Sequence, residues 1–185
     1  MKNPAEQLTT SRLRLRRFTL DDVAATAQLC NNINLYQATA NLPYPYTEDH
    51  ATSWITSHQK AWEEGLGFEW ALVDKKTDQL LGCVGIFIDK EHQRGEIGYW
   101  IGEPFWNQGY ASEAAQAIIN HGFEELQLNR IFACHLAFNQ ASGRVMEKAG
   151  MFYEGTLKSH HNKDGTLHDM VYYGILKDDY FLEEM

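Results

Sequence analysis

A run of small residues near the middle of the chain has the composition of an anion-binding turn, in the segment Trp106-Asn107-Gln108-Gly109-Tyr110-Ala111-Ser112-Glu113-Ala114. Gly109 and the small residues after it leave the backbone N–H groups of a first helical turn open to a ligand. Those groups and the helix dipole bind phosphate without requiring a lysine. The same spacing also suits a helix that only packs closely on a sheet. Neither GxGxxG nor GxxxxGK occurs, which argues against a dinucleotide fold and a P-loop.

Histidines offer a second kind of chemistry. His160, His161 and His168, with Asp169, fall on both sides of a predicted hairpin turn. This spacing gives weak support for a metal site when no cysteine accompanies it. We therefore predict no metal.

The three cysteines are odd in number and far apart, at Cys30, Cys83 and Cys134. This pattern does not indicate a disulfide framework or a CxxC metal site, and it favours a reducing cytoplasm. Cys134 lies among apolar residues and is predicted to be buried and structural.

The anion-binding turn lies inside a strand-helix-strand unit. Strands are predicted over residues 96–101 and 130–138, with a helix over 110–126 between them. Such a unit closes with a right-handed crossover and a parallel strand pair, so the candidate site should lie at this pair. The other predicted strands cover 11–18, 68–74, 80–89, 151–160 and 168–176, and the other predicted helices cover 19–30, 47–65 and 139–150.

Composition and charge limit the classes of protein and partner. The 185 residues are 44% hydrophobic and 22% charged, which is typical of one globular domain over residues 1–185 with a structured core of about 10–178. The 16 basic and 25 acidic residues give a net charge of -9, which argues against nucleic acid as a direct partner. The N-terminus lacks an apolar signal segment and no stretch is long enough to cross a bilayer, so we expect a cytoplasmic protein that does not bind membranes.

The sequence resembles the GNAT superfamily of N-acetyltransferases, and within it the subgroup that acetylates the N-termini of ribosomal proteins. The superfamily's diphosphate motif, Gln/Arg-x-x-Gly-x-Gly/Ala, corresponds to residues 106–111. Further segments follow in the family's order: Thr10-Ser11-Arg12-Leu13-Arg14-Leu15-Arg16, Glu96-Ile97-Gly98-Tyr99-Trp100-Ile101, Asn139-Gln140-Ala141-Ser142 and Glu147-Lys148-Ala149-Gly150-Met151-Phe152-Tyr153-Glu154-Gly155. Together they cover nearly the whole chain and are highly specific.

The resemblance implies an α/β (α+β) fold with acetyl-CoA as cosubstrate. The fold is a mixed, mostly antiparallel sheet of seven strands, with helices on both faces and a central parallel pair that splays apart to admit acetyl-CoA. The cofactor-binding residues implied by similarity are Trp100, Ile101, Trp106, Asn107, Gln108, Gly109, Tyr110, Ala111, Ser112, Asn139 and Ser142.

The chain departs from the family at two positions. Most of the subgroup has glycine where this chain has Asn107. This difference affects the orientation in which one loop amide faces the ligand. Many superfamily members carry a tyrosine acid at the position of Met146. By similarity to the ribosomal-protein acetyltransferases, Ser142 is then the candidate that protonates the departing CoA thiolate.

Two residues are candidates for the general base. An amine arrives largely as an ammonium ion, so a proton must leave before nitrogen attacks the thioester. Glu96 corresponds by resemblance to the base of some superfamily members, and an exposed strand carboxylate is its alternative interpretation. His161 occupies the position of a glutamate base in a near relative, and imidazole titrates in the right range. A solvated hairpin residue is its alternative interpretation.

Aromatic residues in the first third of the chain fall where the superfamily builds its acceptor wall. Trp54 and Trp62 share a helical stripe and are predicted to be core. Tyr44 and Tyr46 lie in the loop that contains Pro43 and are predicted to contact the acceptor.

The resemblance implies direct attack of an amine on acetyl-CoA, with backbone N–H groups at Trp100 and Ile101 stabilising the oxyanion. The acceptor implied by the subgroup is the N-terminal α-amine of a ribosomal or other protein. The alternatives are acetylation of a small amine, such as a polyamine, an amino acid or an aminoglycoside, and a CoA-binding regulator that has lost catalysis. The enzyme could act as a monomer or a homodimer.

Overall fold

Strands and helices lie along the chain largely where the hydrophobic patterns predict them, in a computed structural model that describes residues 5–182. The strands are β1 (Gln7–Thr9), β2 (Leu13–Arg17), β3 (Gly67–Asp74), β4 (Leu80–Asp89), β5 (Arg94–Ile101), β6 (Arg130–Leu136), β7 (Phe152–Lys163) and β8 (Thr166–Leu176). The helices are α1 (Val23–Cys30), α2 (Ile33–Ala38), α3 (Glu48–Glu64), α4 (Tyr110–Glu124), α5 (Gln140–Lys148) and α6 (Lys177–Leu182).

A single mixed sheet contains these strands in the order β1-β2-β3-β4-β5-β6-β8-β7. The pairing of β5 with β6 is parallel, whereas the other neighbouring strands pair antiparallel. The parallel register begins at Arg94 opposite Arg130 and ends at Glu96 opposite Phe132. Beyond that point the two strands separate and leave a gap, which confirms the predicted splayed pair.

Within the described residues the sheet has eight strands, so the predicted number of seven was wrong. The additional strand, β1, pairs with β2 through Leu8 opposite Leu15. Its three residues are too few to show an alternating pattern in the sequence. The helix α2 was also not predicted, because its six residues do not complete two helical turns. It begins after Asn32, whose side chain accepts a hydrogen bond from the Leu35 N–H at 2.9 Å.

Apolar side chains fix helices to both faces of the sheet. On one face α4 buries Ala114, Ala115 and Ile118 against strand residues such as Val84 and Ile131. The opposite face carries a second cluster, formed by Ala27, Cys30, Leu35, Tyr46 and Ala51 from α1, α2, α3 and the loop between them. The gap between β5 and β6 therefore lies between two packed layers. None of the helices within residues 5–182 is both long enough and apolar enough to span a membrane.

Candidate active site

A cavity of about 980 Å³ follows the gap between β5 and β6. Its walls come from β5, from the start of α4, from the start of α5 and from the loop around residues 38–43. Parallel pairing ends at Glu96, so the β5 backbone beyond it has no strand partner on this side. Unpaired backbone donors and acceptors along a strand edge can bind an extended ligand such as a pantetheine arm.

The turn before α4 presents backbone N–H groups at one end of this cavity. Gly109 has φ of 82° and immediately precedes the helix, while Asn107 has φ of 60°. Asparagine tolerates this left-handed conformation better than most residues, so the departure from glycine at Asn107 keeps the loop geometry. The indole N–H of Trp106 donates to the Ile101 carbonyl at 2.6 Å, which ties the loop to the end of β5.

Glu113 of α4 accepts hydrogen bonds from residues 10–12, which precede β2. The hydroxyls of Thr10 and Ser11 and the backbone N–H of Arg12 all donate to its Oε1, at 2.5, 3.0 and 2.8 Å. The Arg12 guanidinium donates to Glu113 Oε2 at 2.7 Å and to the Gln108 carbonyl at 2.8 Å. Partial burial alone would raise the pKa of Glu113, but these hydrogen bonds outweigh burial and lower it to about 2. The motif at residues 10–12 therefore holds the anion-binding turn in place.

The Tyr99 side chain reaches from β5 across the gap to α5. The Tyr99 hydroxyl lies 2.9 Å from Ser142 Oγ and donates to the Ser142 carbonyl at 3.0 Å. Burial raises the pKa of Tyr99, so the hydroxyl keeps its proton at neutral pH. Met146, on the next turn of α5, is buried and also lines the cavity, and its thioether offers no acidic proton. Asn139 begins α5 and accepts from the Ser142 N–H at 3.3 Å, while its amide donates to Ala38 O at 2.8 Å.

The carboxylate of Glu96 stands on the opposite side of β5, at the point where the strands separate. The Cys134 thiol donates to Glu96 Oε1 at 3.5 Å. Burial, together with the negative charge of Glu96, raises the pKa of Cys134 to about 12, so the thiol is protonated at neutral pH. The prediction that Cys134 is buried was wrong, because the residue is half-buried and lines the cavity.

Most of the predicted site residues meet in this cavity. Its lining includes Glu96, Trp100, Ile101, Trp106, Asn107, Gly109, Tyr110, Ala111, Ser112, Asn139 and Ser142, and also Tyr46.

Three predicted residues contact other groups. Gln108 contributes its carbonyl to Arg12, and its side chain donates to the Pro104 carbonyl at 3.3 Å. Tyr44 is exposed, and its ring centroid lies 5.5 Å from that of Tyr36. His161 Nε2 lies 3.2 Å from the carbonyl oxygen of Ala40. None of the three is among the residues that line the cavity.

The prediction that Trp54 belongs to the core was wrong. Trp54 is half-buried and lines the cavity, with its ring centroid 6.2 Å from that of Trp100. Trp62 is buried, as predicted. Sequence reasoning also missed Glu69, whose carboxylate lines the cavity, because a single acidic residue between two apolar ones in a strand indicates only an exposed position. Among residues 5–182 no group of three or more His, Cys, Asp or Glu side chains could hold a metal ion.

Comparison with known proteins agrees with this geometry. The model of an acetyltransferase (GNAT) domain matches residues 12–152. The uncharacterized N-acetyltransferase YoaA of Bacillus subtilis is 32% identical over 173 residues, which cover 92% of this chain and 96% of that protein. The chain belongs to the GNAT acetyltransferase family. It is accordingly an acetyl-CoA-dependent N-acetyltransferase.

Two further acetyltransferases are similar over most of the chain. The ribosomal-protein-serine acetyltransferase of Escherichia coli is 27% identical over 132 residues, which cover 70% of this chain and 73% of that protein. The solved structure of RimL, a ribosomal-protein alpha-N-acetyltransferase in complex with coenzyme A, has a TM-score of 0.86 at 23% identity. The match covers 94% of this chain and 98% of that one, and it shows the same fold.

Proposed function

We propose that this GNAT enzyme acetylates the N-terminal α-amine of a ribosomal or other protein. The observation that carries the proposal is Glu96, a carboxylate that lines the cavity where the parallel strands separate. The similarity to a ribosomal-protein-serine acetyltransferase supports a protein N-terminus as the acceptor. Acetyl-CoA would lie in the gap, with its diphosphate on the backbone N–H groups that lead into α4.

The proposed reaction is direct transfer without a covalent enzyme intermediate. Glu96 accepts a proton from the ammonium group, and the free amine nitrogen then forms a bond to the acetyl carbonyl carbon. The backbone N–H group of β5 at Trp100 or Ile101 that faces the gap stabilises the negative charge on the carbonyl oxygen. The carbon–sulfur bond breaks, and the thiolate of CoA takes a proton from the Ser142 hydroxyl.

Tyr99 positions Ser142 for this transfer. Its hydroxyl donates to the Ser142 carbonyl and lies within hydrogen-bond distance of Ser142 Oγ, so it holds the serine at the gap. Solvent water returns to Ser142 the proton that the thiolate takes.

We expect Ser142→Ala and Tyr99→Phe each to lower kcat by about 10-fold or more, since the first removes the proposed proton donor and the second removes the hydroxyl that positions it. If the two hydroxyls act as a unit, the double variant should be no slower than the slower single variant. The steady-state rate of CoA thiol release gives kcat for the two single variants and for the double variant. Tyr153→Phe, which removes an exposed phenol outside the cavity, is the matched control. Losses that multiply in the double variant would contradict this positioning role.

The acceptor class is tested by release of CoA thiol with a panel of amines. We expect turnover with short peptides that begin with Ser, Ala or Met, and none with the same peptides blocked at the N-terminus. Faster turnover of polyamines, amino acids or aminoglycosides would favour a small-molecule acceptor. Tight binding of acetyl-CoA without turnover of any amine would favour a regulator.

A further inference from the structure

Charged side chains divide the cavity into two ends of opposite sign. Glu69 and Glu96 are its acidic lining residues, and they lie on β3 and β5. The Lys and Arg residues in its lining are Arg144 and Lys148, both on α5. The α5 end thus suits the phosphates of acetyl-CoA, whereas the end next to β3 suits a cationic acceptor.

Glu69 lies on the same face of the sheet as Glu96. It stands opposite Gly85 of β4, which in turn stands opposite Gly98 of β5, two residues after Glu96. Two strand spacings and two residues along a strand place the Cα atoms of the two glutamates about 12 Å apart. A Cβ atom at Gly85 would come within 2.8 Å of Glu69 Cγ, so the glycine makes room for this side chain over β4.

A buried histidine lies beside the Glu69 carboxylate. His58 of α3 places its Nε2 at 2.9 Å from Glu69 Oε2, and the imidazole is 6% exposed. The Trp54 ring packs edge-on against the same imidazole at 4.4 Å between centroids. The Glu69 side chain itself is 16% exposed, so it is largely enclosed and still reachable from the cavity.

Aromatic rings surround the space between the two carboxylates. Tyr46, Trp54, Phe87 and Trp100 line this end of the cavity. Aromatic faces attract cations, and a low-polarity surrounding strengthens an ion pair with a carboxylate. Burial raises the pKa of Tyr46 and Cys83, and the nearby negative charge of Glu69 raises both further, which agrees with a negative potential in this region.

We propose that Glu69 selects acceptors that carry a second positive charge beside the amine that is acetylated. The inference rests on the proposed function, because it assigns the reacting amine to Glu96 and the second cation to Glu69. The spacing suits two cationic groups joined by a short alkyl or peptide spacer. Lysine near a peptide N-terminus and the second ammonium group of a diamine share this chemistry.

The test measures turnover of acceptors that differ by one positive charge. Each acceptor is assayed with the wild type, with Glu69→Gln and with Glu69→Asp. One pair is a Ser-Lys hexapeptide and its Ser-norleucine counterpart, and the other is 1,4-diaminobutane and 1-aminobutane. In the wild type, we expect kcat/KM to be about 10- to 100-fold higher for the dicationic member of a pair, as for a hydrogen bond to a charged group. Glu69→Gln should abolish this preference by raising KM for the dicationic acceptor while kcat stays similar. Glu69→Asp should retain part of the preference.

Glu63→Gln is the matched control, because Glu63 is exposed on α3 outside the cavity. Thermal unfolding and acetyl-CoA titration establish that each variant is folded and binds its cosubstrate. A charge preference that persists in Glu69→Gln would overturn the inference and leave the proposed function standing. Turnover of diamines alone, with a preference that needs Glu69, would overturn the protein acceptor and keep the inference. Turnover of neither pair would overturn both.

Discussion

Glu96→Gln is expected to lower kcat for amine acetylation by about 10²- to 10⁴-fold, the range for loss of a general base. The amide has nearly the same shape as the carboxylate but cannot accept the ammonium proton. Because the substitution leaves the backbone of β5 and the turn before α4 unchanged, affinity for acetyl-CoA should be preserved. Steady-state kinetics and calorimetric titration with acetyl-CoA separate these two effects.

His161→Gln is the matched control for this experiment. The His161 ring contacts the Ala40 carbonyl and is not part of the cavity lining, so its replacement should retain most of the turnover. Full activity in Glu96→Gln together with a large loss in His161→Gln would assign the base to the histidine. Similar small losses in both would show that the amine loses its proton by another route.

Ser112→Asp is expected to weaken acetyl-CoA binding strongly. Ser112 lies in the first turn of α4 and lines the cavity where the diphosphate would lie. A carboxylate about 4 Å from a phosphate is repelled by about 4 kcal/mol at an effective dielectric constant near 20. With screening by solvent, we expect the Kd for acetyl-CoA to rise by about 30-fold or more.

The same substitution should leave the folded protein at least as stable. A negative side chain in the first turn of a helix interacts favourably with the helix dipole, by about 0.3–1 kcal/mol. Thermal unfolding without ligand measures stability, and calorimetry measures Kd. Ser112→Ala should show neither effect, and Gln116→Glu places the charge one turn further along α4, outside the cavity lining. Unchanged affinity in Ser112→Asp would contradict diphosphate binding at this turn.

The strand-helix-strand unit could be predicted because apolar residues repeat at a different spacing in its helix than in its two strands. The helix that became α4 repeats its apolar residues at helical spacing, and β5 and β6 are short apolar segments. Such patterns depend only on residues close together in the chain, so they can be recognised in the sequence without the tertiary structure. The loop at Gly109 could be predicted for the same reason, since a helix start needs only a few adjacent residues.

Contacts between distant strands could not be predicted in this way. The pairing of Glu96 with Cys134 depends on a parallel register that places Glu96 opposite Phe132, and nothing in the sequence sets that register. Glu69 and His58 meet for a similar reason, because the contact joins a helix to a strand. Helical periodicity placed Trp54 on the inward face of α3, but it does not distinguish a face covered by protein from one that opens onto a cavity.

The strand order also constrains how the enzyme can be made in the cell. β8, near the C-terminus, lies between β6 and β7, and it pairs with β6 from Arg130 opposite Leu176 to Leu136 opposite Met170. The β6 strand, which forms one wall of the cavity, therefore gains its neighbour only after the chain up to β8 has left the ribosome. A nascent chain that ends before β8 would expose β6 as an unpaired apolar edge, which is prone to aggregation. This wall of the cavity thus cannot be completed until at least 30 residues beyond β6 are available, counted from Leu136 to Thr166.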